Sequence, residues 1–250
     1  MTAKRQSFLI FILGTLSAIG PFSIDMYLAG FPAIADDLNT DVPHVALSLS
    51  SFFVGICVGQ MLYGPLLDRF GRKRPLYFGL SVYLITSLAC AFVTSVESLI
   101  ILRFLQAIGG CAGMVASRAM VRDLFPVEQS AKVFSLLMLV IGVSPLIAPT
   151  LGGYITSGPG WQYIFITLAL MAAAILAGVH FGLPESRKPD PGFSLRPKPI
   201  ITNFIHILKE PQFYTYTFTG AIASAGLYAY ISGSPLVYIE IFGVSEEHYG

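Results

Sequence analysis

Charge is what this chain has least of. Only 12% of its 250 residues are Asp, Glu, Lys or Arg, against about 25% in an ordinary soluble domain, so the usual polar surface cannot be built from it. Hydrophobic residues make up 54% and the mean hydropathy is +0.71, which leaves an all-α integral membrane protein as the expected class. Cysteine is scarce too. Cys57, Cys90 and Cys111 all fall inside apolar runs, so a disulfide framework is not expected and each reads as a small packing residue. Four histidines, His44, His180, His206 and His248, are scattered without metal-ligand spacing. No G-x-S-x-G, phosphate loop or basic-aromatic surface is present. No catalytic residue, metal, cofactor or nucleic-acid partner is expected, and an enzyme reading has nothing to stand on.

What the chain does have is long apolar runs. A bilayer core of about 30 Å needs about 20 residues of helix, and seven stretches qualify: 8–29, 45–67, 76–94, 98–118, 130–156, 162–183 and 213–238. The first is too long, and has no small-residue cleavage site, to read as a signal peptide. The only long polar segment, 184–212, carries five prolines among basic residues and reads as a linker, with room for a short surface helix near Ile200 to Lys209.

The scarce charges fix the orientation. Of 15 Lys and Arg, 14 lie at the N-terminus or in the connections after helices two, four and six. The opposite connections hold Asp36, Asp37, Asp41, Glu97, Glu240, Glu246 and Glu247 with no basic residue. Short basic loops stay in the cytoplasm, so the N-terminus is expected there, in a multi-pass protein of a bacterial-type inner membrane. A seven-helix receptor would place it outside. The expected organisation is a six-helix bundle over 1–183, a cytoplasmic linker over 184–212, and over 213–250 the first helix of a second bundle that is absent or incomplete.

Two charges remain within the apolar runs. Asp25 stands about four residues from the outer end of the first helix and Arg103 about five from the outer start of the fourth; at 1.5 Å per residue both lie roughly 6 to 8 Å below the outer boundary. They are level and opposite in sign, so they can meet. Desolvation and a nearby cation act on a carboxyl group in opposite senses, and a carboxylate balanced between them can take up a proton on one side and release it on the other. Snorkelling of Arg103 and hydration of Asp25 at the interface are the plainer alternatives.

Between helices two and three stands "GPLLDRFGRKRPL". The spacing of Gly64, Asp68, Arg69, Gly71, Arg72 and Lys73 resembles the cytoplasmic signature of the major facilitator superfamily, G-x-x-x-D-R-x-G-R-[RK]. Gly71 suits a tight turn, Gly64 a close helix approach, and the arginines can pair with Asp68 or a lipid phosphate. By this resemblance Asp68 faces a helix of the second half and holds the cytoplasmic side shut. Arg103, Gln106 and Gly109 are similar to the family's R-x-x-Q-G-x-G, with Ala107 in place of its first glycine. Helix five reads "GVSPLIAPTLGG"; Gly142, Pro145, Pro149, Gly152 and Gly153 resemble the antiporter motif G-x-x-x-G-P-x-x-G-G, although a structural kink alone accounts for prolines in a helix. "FSIDMYLAGFP" and "AYISGSPLVYIE" resemble the Bcr/CflA group of drug/proton antiporters.

The resemblance implies two six-helix bundles around a central cavity, lined here by helices one, two, four, five and seven. Phe22, Met26, Tyr27, Gln106, Met114, Tyr228, Tyr230 and Ser234 become substrate candidates, with packing as the alternative for each. It further implies proton-coupled efflux of amphipathic small molecules or drugs, with Asp25 and Arg103 in proton coupling and lipid as the surrounding partner. A secondary transporter of one metabolite and a non-transporting membrane fragment are the alternatives, because half a transporter cannot rock against a missing half.

Overall fold

The computed structural model describes residues 3–243. Among the described residues nine α-helices follow in order: α1 Ala3–Leu28, α2 Phe31–Asp37, α3 Val42–Phe70, α4 Lys73–Cys90, α5 Val96–Leu124, α6 Val127–Ser157, α7 Gln162–Gly182, α8 Pro197–Leu208 and α9 Pro211–Pro235, then a π-helical stretch Leu236–Ile241. Local chemistry sets the boundaries. The Asp41 carboxylate accepts the His44 backbone N–H at the start of α3, and Ser95 accepts that of Ser98 at the start of α5. Gly71, at φ 82°, ends α3, where a side chain would be strained. Pro126 separates α5 from α6.

The main packing pairs reveal an internal symmetry. The helices α1, α3 and α4 form one triplet, and α5, α6 and α7 a second. Exchanging the triplets maps α3 on α5 onto α6 on α1, and α4 on α5 onto α7 on α1; α4 on α7 and α1 on α5 map onto themselves. That is the contact network of a pseudo-twofold repeat of three plus three helices. Where α4 meets α5, a Cβ on Gly109 would stand 2.7 Å from the Gly79 carbonyl oxygen and one on Gly79 2.8 Å from that of Gly109. The backbones touch, and only glycine fits at this crossing.

Among the described residues, five helices, α1, α3, α5, α6 and α7, are long and apolar enough to cross a membrane by length and composition. Seven had been expected. In α4 the 18 residues begin with Lys73 and Arg74, and α9 is diluted by tyrosine, threonine and serine. The helix α4 is nevertheless packed between α5 and α7, whereas α9 makes its main contacts with α8 and the π-helical stretch. A second difference is α2, which lies in what reads as an outer connection. Phe31, Ile34 and Ala35 are buried, and Asp37 accepts hydrogen bonds from Trp161 Nε1 (3.0 Å) and Gln162 Nε2 (3.1 Å), tying α2 to the start of α7.

Candidate functional site

Asp25 is buried, 4% exposed, at the seam between α1 and α6. Its described partner is a hydroxyl: Ser144 Oγ donates to Asp25 Oδ2 at 3.3 Å. The face of α6 toward this seam is Ser144, Ala148, Gly152 and Thr156, all buried and four residues apart. A Cβ on Gly152 would stand 2.9 Å from the Met26 carbonyl carbon and closer still to its oxygen. Gly152 therefore lets α6 lie against α1 one residue beyond the carboxylate, and Gly153 is buried beside it. Gly142 and Pro145 are exposed, and a Cβ on Gly142 would meet nothing within 4 Å. One run thus serves two faces, with the inner one packed on α1 and the outer one open.

Arg103 is fully buried but does not pair with Asp25. Its Nη1 donates to Gln106 Oε1 (2.6 Å) and its Nη2 to the Ser23 carbonyl (2.9 Å). The guanidinium carbon lies 4.1 Å from the Phe52 ring centre and 4.4 Å from that of Tyr27, a cation held between two π faces. Gln106 in turn donates to Ser87 Oγ (2.7 Å), Ser23 shares a hydrogen bond with Tyr83 and Tyr27 one with Ser48. This network ties α5 to α1, α3 and α4. The expected meeting of the two charges fails on azimuth rather than on depth: residues 23 and 25 stand about 200° apart around a helix. With Ser23 and Tyr27 turned to Arg103, Asp25 is turned away, toward α6.

The motif between α3 and α4 forms a second polar cluster. Asp68 Oδ1 accepts from Arg72 Nη1 and from Arg187 Nη1, both at 3.1 Å. Arg72 Nε donates to Asp123 Oδ2 at 2.8 Å, and Ser186 Oγ donates to the same oxygen. Burial opposes the Arg72 charge, yet Asp123 and Asp68 outweigh it and hold its pKa above the ordinary arginine value. Glu185 accepts the backbone N–H groups of Arg72 (2.6 Å) and Lys73 (3.1 Å), capping α4 with a carboxylate. Arg69 donates to the Asp190 carbonyl, and Lys73 Nζ to that of His180. A Cβ on Gly64 would meet nothing within 4 Å, so no contact made in this chain requires that glycine.

Asp123, Glu185, Ser186 and Arg187 escaped sequence reasoning. A usable signal existed: Asp123 directly follows Arg122, and Glu185 stands two residues before Arg187, in the connections that carry most of the basic residues.

A model described as Major Facilitator Superfamily matches residues 11–250. The chain belongs to the Major Facilitator Superfamily. It is 37% identical over all of its length to a Haemophilus influenzae bicyclomycin resistance protein homolog, of which it covers 63%. To a Bacillus subtilis MFS-type transporter, YdgK, it is 37% identical over 98% of its length, covering 62% of that protein. To the Escherichia coli multidrug resistance protein MdtL it is 31% identical over 92% of its length, covering 58%. The chain thus spans about three-fifths of these relatives. Among solved structures it is similar to a bacterial homolog of the human lysosomal transporter Spinster in an inward-facing, unoccupied conformation. That match has a TM-score of 0.69 at 16% identity, with 99% of this chain and 58% of that one covered. It is also similar to a peptide transporter POT in complex with sulfate, with a TM-score of 0.58 at 20% identity, 90% of this chain and 45% of that one covered. The likeness fixes the fold, a six-helix bundle of this superfamily followed by further helices.

In this superfamily bundle the expected substrate residues that are described differ in their surroundings. Tyr27, Met26 and Gln106 are fully packed. Met114 is half-buried, with its sulfur where a side chain at position 20 would go. On α9, Tyr230 is exposed and Ser234 buried, while the Tyr228 side chain lies outside the described residues. Phe22, half-buried, lines a cavity of about 690 Å³, but that cavity is bounded by α1, α6 and α7.

Proposed function

We propose that the protein to which this chain belongs couples proton entry to efflux of amphipathic small molecules. In this reading Asp25 is the group that gains and loses the proton, and Arg103 positions α1 through the Ser23 carbonyl and the Tyr27 ring. The observation that carries the reading is the Asp25 carboxylate, buried at a helix seam with a serine hydroxyl, and no cation within ion-pairing distance among the described residues. Intramembrane carboxylates in such a setting are functional by default, because a bilayer makes them costly. The drug-resistance names of two relatives favour efflux of drugs, and the α6 motif favours exchange.

The same proposal orients the N-terminus to the cytoplasm of an inner membrane. It takes residues 1–183 as the first bundle, 184–212 as linker and 213–250 as the opening of a second bundle. A non-transporting chain is the second reading, favoured by the open faces of α3 and α6. The test is drug-induced proton movement in everted membrane vesicles. The 250-residue chain is compared with the same chain joined to a complete second half, each with and without Asp25→Asn. Proton release by the joined chain, lost in Asp25→Asn while the protein still inserts, is expected. Release that survives Asp25→Asn defeats the assignment; movement of one metabolite without drugs defeats drug efflux.

A further inference from the structure

The cavity between α1, α6 and α7 is not a wall of the expected central cavity, which would need α3 and α5. It is floored by α1, with α6 and α7 as its sides. Its floor and rim are apolar and open: Phe8, Phe11, Leu136 and Leu139 are all exposed. The lining runs along α1 from Ser7 to Phe22, a rise of about 22 Å, longer than one leaflet of a hydrocarbon core about 30 Å thick. At the end nearest the start of α1, two cations follow the apolar lining. Lys4 lies four residues before Phe8 on α1, and Lys132 four before Leu136 on α6. Fourfold spacing places both lysines above the lining faces of their helices. The same two helix ends are bridged by Gln6 Nε2 donating to Gln129 Oε1 at 3.1 Å, so these ends are neighbours.

We infer that this groove holds one acyl chain of an anionic phospholipid, with the phosphate at Lys4 and Lys132. The inference stands apart from the transport reading, since it uses neither Asp25 nor substrate. An apolar trough at membrane depth excludes water, and two cations at its mouth favour an anionic headgroup over a zwitterionic one. Ala174, exposed on the α7 side of the lining, marks where the groove can be filled without disturbing a packed contact.

The experiment is native mass spectrometry of the purified chain after delipidation and incubation with equal phosphatidylglycerol and phosphatidylcholine of matched acyl chains. Retention of phosphatidylglycerol over phosphatidylcholine by at least about fivefold is expected. The K4Q/K132Q double variant should approach parity, and Ala174→Trp should lose both lipids. Circular dichroism confirms that each variant keeps its helix content; Ala174→Phe replaces the tryptophan variant should that one misfold. Equal retention of the two lipids by the unaltered chain overturns the proposal. So does retention indifferent to filling, or a lipid-free dimer that Ala174→Trp dissociates.

Discussion

Gly142 and Gly152 belong to one motif, yet the structure assigns them opposite sensitivities to the same substitution. In Gly152→Ala the new methyl carbon would sit 2.9 Å from the Met26 carbonyl carbon and 3.0 Å from its Cα, where ordinary contact begins at 3.4 Å. The obstacle is backbone, so no side-chain rotation relieves it, and α1 and α6 must separate along the seam that holds Asp25. Overpacking of this kind costs about 1 to 3 kcal/mol, and the upper end applies when the neighbour cannot turn aside. In Gly142→Ala the methyl group meets nothing, and replacing a mid-helix glycine by alanine gains about 0.5 to 1 kcal/mol. The difference is therefore about 1.5 to 4 kcal/mol from one chemical change ten residues apart. Thermal unfolding in detergent, followed by intrinsic fluorescence, should show Gly152→Ala melting well below the unaltered chain and Gly142→Ala at or above it. Equal melting of the two variants would refute the packing of α6 on α1 described above.

Four further outcomes follow. Gly64→Ala should leave the stability of this chain unchanged, because its methyl group enters open space, while impairing transport once a second half is joined; a lowered melting temperature for the chain alone contradicts this. Arg103→Lys loses the planar fork that serves Gln106 and Ser23 and the stacking on Phe52 and Tyr27, and should destabilise by about 2 to 3 kcal/mol, measured by chemical denaturation in mixed micelles. Glu185→Gln weakens the carboxylate cap on α4 and should cost about 0.5 to 1 kcal/mol, with hydrogen exchange rising first at Arg72 and Lys73. The Asp41 carboxyl is held below the usual carboxylate range by the His44 backbone N–H. A lowered folded pKa means the cap is complete above about pH 4 and lost as pH falls below it; protection of the His44 amide should follow that course.

The membrane-bundle class and the places of α1, α3, α5, α6 and α7 were legible in the sequence because hydropathy acts locally: a run of about 20 apolar residues has one stable solution in a bilayer. That Arg103 stands level with the end of α1 that holds Asp25 was legible for the same reason, rise per residue being fixed: its Nη2 reaches the Ser23 carbonyl, two residues from Asp25. The polar cluster between α3 and α4 was only half legible. Asp68 and Arg72 lie within one loop, whereas Asp123 and Glu185 arrive from α5 and the stretch after α7, and only packing says which acids meet which arginine. Helix α2 was missed because its seven residues are too few to announce themselves; its apolar positions have meaning only against the bundle they cover.

The sequence by itself thus determined a membrane bundle and the presence of two charges within its apolar helices, since each depends on composition along one dimension. Tertiary structure alone decided whom those charges meet. Rotation about a helix axis is set by the small residues of its neighbours, by Gly152 pressing α6 on Met26 and by Ser23 facing α5. That rotation gave Arg103 a carbonyl, an amide and two aromatic rings, and left Asp25 to a serine.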